Sequence, residues 1–209
     1  MTNLKSKTAI AALLLAFSFG TVAPAFAAID SDHDGVPDSA EPLIHTDPLN
    51  ADTDGDGIND LKDKNPVFAP DPIKMDGAAT PFTIKQALVE NNYDPATRKI
   101  APDHLELQVV NTGTTDLGNF SIYYTVKDLA TGTTEGYFRK LDGFSVPAGK
   151  DARVHFDDSG LPGHFRANPN GIYYKSADAK LFTVVLKADG FKPVTLQIKK
   201  DKGGAEKAD

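Results

Sequence analysis

The sequence predicts a mainly β protein, in which a small acidic loop module precedes an immunoglobulin-like β-sandwich. Three observations carry this reading. From His104 onward, apolar and polar residues alternate with a period of two in short runs separated by turn residues. Between Asp30 and Asp63, aspartates and a glycine recur twice at one fixed spacing. The chain also contains no cysteine, which excludes disulfides, thiolate metal sites and lipid attachment through a thiol.

The N-terminus reads as a secretory signal peptide. Lys5 and Lys7 give a short positive region, Ala9–Phe19 an apolar stretch, and Ala25-Phe26-Ala27 a small-residue cleavage site. Cleavage is expected after Ala27, giving a protein released to the periplasm, the cell surface or the medium. The apolar core is too short for a membrane span, and no other segment is apolar enough. The expected organisation is a signal peptide at 1–27, acidic repeats at 28–66, a connector with an undecided element at 67–100, the sandwich at 101–200 and a frayed tail at 201–209.

Charge is concentrated. The chain has 22 basic and 29 acidic residues, and Asp30–Asn65 alone holds 11 acids against Lys62 and Lys64. Without Lys5 and Lys7 the net charge is −9, and this one segment also carries −9, so the rest balances. Such a stretch either stays disordered through self-repulsion or is neutralised by a cation. No basic patch or stripe accompanies it, which argues against nucleic acid as a partner.

The two loops align residue for residue. The first reads Asp30-Ser-Asp32-His-Asp34-Gly35-Val36-Pro-Asp38-Ser-Ala-Glu41, the second Asp52-Thr-Asp54-Gly-Asp56-Gly57-Ile58-Asn-Asp60-Leu-Lys-Asp63. Oxygen-bearing side chains fall at positions 1, 3, 5, 9 and 12, glycine at 6, and an apolar residue at 7 that offers its carbonyl. Calcium takes six to eight oxygen ligands, and alternate residues of a curled chain aim carboxylates at one centre. Glycine permits the sharp turn. Magnesium demands stricter octahedral geometry and keeps more of its water. The flanks exclude an EF-hand, since Pro42 and Pro66 follow the loops where helices would be needed. A dockerin would need a helix after each loop and is excluded on the same ground.

Together with the His45-Thr46-Asp47-Pro48-Leu49-Asn50 linker, the segment Asp30–Pro66 resembles bacterial thrombospondin type 3 repeats. It is similar to the calcium-binding segment of bacterial toxin protective antigens, where two ions share carboxylates. The resemblance implies two calcium ions. Asp30, Asp32, Asp34, the Val36 carbonyl and Glu41 would hold one. Asp52, Asp54, Asp56, the Ile58 carbonyl and Asp63 would hold the other. Asp38, Asp60 and Asp47 would contribute through water or as bridges. The second loop departs from the pattern by ending in Asp63, whose shorter side chain reaches less well as a bidentate closer.

Beyond the prolines at 66, 70 and 72, which predict a stiff extended connector, Phe82–Asn91 fits either a short helix or an opening strand. Expected strand pieces are Leu105–Val109, Phe120–Val126, Tyr137–Leu141, Phe144–Val146, Ala152–Phe156, Leu181–Lys187 (central) and Val194–Ile198, with turns at Asn111–Gly113 and Pro147–Lys150. The pattern points Tyr124 inward and Tyr123 outward.

No Gly-x-Ser-x-Gly elbow, His-Glu-x-x-His motif or phosphate loop is present. His155 is expected on an outer strand face, His164 in a loop, and Asp157-Asp158 in a turn. A non-enzymatic protein is expected, in which calcium rigidifies the acidic segment and the sandwich makes protein or cell-surface contacts. The alternative is a calcium-dependent carbohydrate- or cell-wall-binding module with Tyr123, Tyr173 and Tyr174 as a platform for a cell-surface glycan. A hydrolase is the third and weakest reading.

Overall fold

The computed structural model describes residues 28–89, 105–157 and 160–202. The expected signal peptide at 1–27, His104, Asp158 and residues 203–209 of the tail lie outside the described residues. Two four-stranded sheets form the body. One has the order β1 (Phe82–Val89), β2 (Leu105–Asn111), β5 (Asp151–Phe156), β6 (His164–Phe165). The other has the order β4 (Thr134–Leu141), β3 (Phe120–Asp128), β7 (Lys180–Ala188), β8 (Val194–Lys200). All pairings within the sheets are antiparallel except β5 with β6.

The inward residues of both sheets merge into one apolar core. Phe82, Leu107, Val109, Val154 and Phe156 from the first sheet meet Phe120, Ile122, Tyr124, Phe182, Val184 and Leu186 from the second. Edge-on aromatic contacts bridge the layers, with ring centroids 5.5 Å apart for Phe82–Phe120 and 5.2 Å for Tyr124–Phe156. This is the packing of a β-sandwich, and burial of alternate residues is what the period-two pattern dictates. As expected, β7 is an interior strand; Lys180 at its start is fully buried and pairs with Asp128 at 3.0 Å.

Four expectations change. The undecided segment Phe82–Asn91 is a strand through Val89, and it pairs with β2 as part of the sandwich. A bulge between Ile84 and Gln86 shifts its register, so its apolar residues lose strict alternation and mimic a helical spacing. Phe144–Val146 is not a strand; Val146 makes a single bridge to Leu117. His164 lies in β6 rather than a loop. Tyr173 and Tyr174 sit in the helical turn α2 (Ile172–Lys175), with Tyr173 edge-on to Phe182.

Tyr123 does point away from the main core, yet only 7% of it is exposed. The connector runs across that outer face: Ala69 and Ile73 pack with Tyr123 and Val185, and the Tyr123 hydroxyl donates to the Ala69 carbonyl at 3.0 Å. The connector also caps the β4 edge, since Gly136 N–H donates to Val67 O and Ala69 N–H to Gly136 O, both at 3.0 Å. Covering an edge in this way removes a template for unwanted pairing. Among the described residues, no helix is long and apolar enough to cross a membrane.

Candidate metal centre

Each loop is curled by aspartates hydrogen-bonding backbone N–H groups a few residues ahead. In the first, Asp34 N–H donates to Asp32 Oδ1 (3.2 Å), Gly35 N–H to Asp30 Oδ2 (3.1 Å) and Val36 N–H to Asp34 Oδ1 (2.5 Å). In the second, Asp52 receives Gly55 and Gly57 N–H on its two oxygens, both at 2.9 Å. Asp54 receives Asp56 N–H (3.0 Å) and Asp56 receives Ile58 N–H (2.8 Å). Gly35 and Gly57, at position 6, have φ of 99° and 93°, a left-handed backbone that a Cβ disfavours.

This pattern spends one oxygen each of Asp30, Asp32 and Asp34 on the backbone. Their other oxygens, Asp30 Oδ1, Asp32 Oδ2 and Asp34 Oδ2, are buried without a hydrogen-bond partner. Both oxygens of Glu41, which is fully buried at the start of the single-turn helix α1 (Glu41–Ile44), are in the same condition. Asp54 Oδ2 is the corresponding atom of the second loop. Within each triplet, Asp30/Asp32/Asp34 and Asp52/Asp54/Asp56, one carboxylate oxygen per residue lies within 4.8 Å of the others. Buried anionic oxygens facing one another without donors are costly, and a bound cation is the ordinary remedy. The residues present therefore fit a hard dication.

Electrostatics point the same way. Burial, reinforced by Asp32, Asp34, Asp38 and Asp47, pushes Glu41 up to about 7. Burial also pushes Asp54 up to about 7, with Asp56, Asp63 and Asp52 adding to it against the Asp56 N–H.

The remaining sequence-predicted residues have other partners. Asp38 accepts from both Ser31 N–H and Ser31 Oγ, each at 2.7 Å, and these bonds hold its carboxyl below the usual range. Asp60 accepts from Thr53 N–H (2.8 Å) and Thr53 Oγ (2.7 Å), while burial pushes it up to about 6. Position 9 thus ties each loop to the hydroxyl residue at position 2. The aligned repeats carry that pairing openly, Ser31 with Asp38 and Thr53 with Asp60. Asp63 accepts Asn65 N–H at 2.8 Å. Val36 is buried, whereas Ile58 is exposed.

Asp47 points to the sandwich. Arg166 clamps it with both oxygens engaged, Nε to Oδ2 at 2.5 Å and Nη2 to Oδ1 at 2.7 Å. Around this pair, Asn168 donates to His45 O and Asn170 to Thr46 O, each at 2.7 Å. The second loop docks through Phe138 N–H to Asp54 O (2.7 Å) and Arg139 Nη2 to Thr53 O (2.5 Å). Gly55 lies so close that a Cβ there would fall 2.1 Å from the Phe138 carbonyl oxygen. The linker between the loops and the start of the second loop are therefore fastened to the sandwich. Sequence reasoning missed Arg166, Asn168 and Asn170, because nothing local marks a residue whose partner lies some 120 positions away.

No family model matches the chain, and no curated protein does. Among solved structures, an alkylpurine DNA glycosylase of Pseudomonas fluorescens bound to DNA with an abasic-site analogue is 15% identical over 57% of this chain and 30% of its own, with a TM-score of 0.34. The archaeal flagellum of Methanospirillum hungatei is 8% identical over 62% of this chain and 70% of its own, TM-score 0.36. A Bifidobacterium adolescentis β-glucosidase is 20% identical over 61% and 18%, TM-score 0.31. This chain thus spans less than a third of the glycosylase and less than a fifth of the glucosidase. At these scores the likenesses carry no argument about function.

Proposed function

We propose that this is an exported, non-enzymatic calcium-binding protein whose two acidic loops hold one ion each. The observation that carries the reading is the set of buried carboxylate oxygens of Asp30, Asp32, Asp34, Glu41 and Asp54 that face inward without donors. Asp30, Asp32, Asp34, Glu41 and the Val36 carbonyl would hold the first ion. Asp52, Asp54, Asp56, Asp63 and the Ile58 carbonyl would hold the second. Calcium supplies the charge neutralisation that these carboxylates lack in its absence.

The loop residues then act on the sandwich. Asp54 and Thr53 present their carbonyls to β4, and Asp47 presents its carboxylate to Arg166. A cation-organised module thereby stiffens one edge and one loop cluster of the sandwich. A site filled to a hundred times its Kd adds about 2.7 kcal/mol to the folded state. The role is structural at the millimolar calcium found outside cells, and the stiffened sandwich is left to make protein or cell-surface contacts. The strand order is compatible with an immunoglobulin-like arrangement, with β1, β2, β5 and the two-residue β6 in one layer and β4, β3, β7 and β8 in the other.

Thermal melts of residues 28–209 with calcium and with chelator test this reading. A rise in melting temperature on adding calcium, absent for magnesium at equal concentration, is expected. Equal melts in chelator and calcium would overturn it.

A further inference from the structure

Away from the acidic loops, the parallel pairing of β5 with β6 brings His155 beside His164 at the edge of the first sheet. Their rings stack, with centroids 4.4 Å apart and planes 5° from parallel. One ring has a carboxylate hydrogen-bonded at Nδ1 and the other has one nearby. Asp157 Oδ2 lies 2.8 Å from His164 Nδ1, and Oε2 of the buried Glu106 lies 3.8 Å from His155 Nδ1. His155, Asp157 and His164 each offer a ligand atom within 4.8 Å of the others. Both imidazoles keep a solvent-facing fraction, 16% and 19% of their side chains.

We propose that His155 and His164 form a second, chemically distinct metal site, for a borderline transition-metal dication of the zinc or copper class. The donor types decide the class. Imidazole nitrogen suits zinc and copper and is a poor partner for calcium, which takes oxygen. A carboxylate on the far nitrogen is the usual support of a metal-binding histidine: it holds the Nδ1 proton, fixes the tautomer and leaves Nε2 as the ligand. Here Asp157 does this for His164 at hydrogen-bond distance; Glu106, paired with Arg153, lies near His155 at 3.8 Å and adds negative charge beside the ring rather than a hydrogen bond. With bonds of about 2.0 Å, two nitrogens on one tetrahedral ion sit about 3.3 Å apart. The ion must also lie near the plane of each ring, so the pair closes and tilts out of its parallel stack on binding. The partial exposure of both rings gives them room to do so. Water completes the coordination. The site does not rest on the calcium reading, because it shares no residue with the loops.

The test uses the calcium-saturated mature chain, so that the acidic loops are not available to the added metal. Zinc alone is titrated by calorimetry, and copper(II) alone is followed by electron paramagnetic resonance. One zinc equivalent is expected, with at least a tenfold loss of affinity in the double variant His155→Gln/His164→Gln. Asp157→Asn should weaken binding about ten- to a hundredfold by removing the orienting carboxylate. The wild-type copper spectrum should show coupling to two imidazole nitrogens. A far-UV circular dichroism spectrum and a melting transition like the wild type's show that the variants fold, and should they not fold, the wild-type copper spectrum decides alone. Zinc binding equal in wild type and double variant overturns the proposal. So does a copper spectrum without two-nitrogen coupling, or one that persists in the double variant and so places the ion on His33, His45 or His104.

Discussion

The two loops share a spacing but not a state of completion. The first commits one oxygen each of Asp30, Asp32 and Asp34 to its backbone and leaves five buried carboxylate oxygens, two of them on fully buried Glu41, without donors. The second leaves one, on Asp54; both oxygens of Asp52 already accept N–H groups, Asp56 is exposed, and Asp63 accepts Asn65 N–H. On the proposed reading the first loop is a cage that depends on a cation. The second is nearer to a self-satisfied turn, held in shape by β4. One ligand pattern can therefore encode a tight site and a weaker one, the difference lying in the closing residue and in what packs behind the loop.

The sharpest way to break the comparison is at Glu41. Glu41→Gln removes a closing charge, so the first site should lose on the order of a hundredfold in calcium affinity while the second keeps its own. In chelator the same variant should gain about 1–3 kcal/mol, because a buried anion without donors is replaced by an amide that can donate to Asp32 or Asp34. Opposite signs with and without calcium, read by denaturant melts, mark a ligand rather than a packing residue.

Next in size is Arg166→Ala, which leaves buried Asp47 without its guanidinium and should cost about 3 kcal/mol in chelator. Because Asp47 also bears on Glu41, the stripped charge should strengthen the first site's calcium binding and leave the second untouched. Isothermal titration of the variant checks both halves.

A third prediction concerns pH. Glu41 and Asp54 are raised to about 7 in the folded chain without calcium, above their ordinary carboxylate values. A raised group binds its proton more tightly when folded, so its contribution is complete below the unfolded value near 4 and is lost as pH rises through about 7. The calcium-free protein should thus lose stability between about pH 4 and pH 7, with the slope flattened in Glu41→Gln. With calcium bound, melts over the same range should not show this loss.

The smallest effect is expected from Asp63→Glu, which lengthens the second closer and should tighten that site a few-fold, or about 1 kcal/mol, without moving the first. Calcium calorimetry resolves it.

The curl of the loops was legible because it is local: aspartates at a spacing of two that accept backbone N–H groups, and a glycine at position 6, can be read along the chain. The sandwich strands were legible for the same reason wherever period two held. It failed at β1, where the bulge after Ile84 breaks the alternation. It also misled at Tyr123, since periodicity tells which face a residue is on and not whether the connector covers that face. The fastening of Asp47 to Arg166 and the stacking of His155 on His164 are products of topology, joining segments that no local pattern links.

The most direct test of the central claim is a calorimetric calcium titration of the mature chain beside Glu41→Gln and Asp54→Ala. Two ions in the wild type, the tighter lost in the first variant and the weaker in the second, is the expected result. Unchanged binding in both variants, or none in the wild type at millimolar calcium, would contradict it and leave the acidic segment as a metal-free linker.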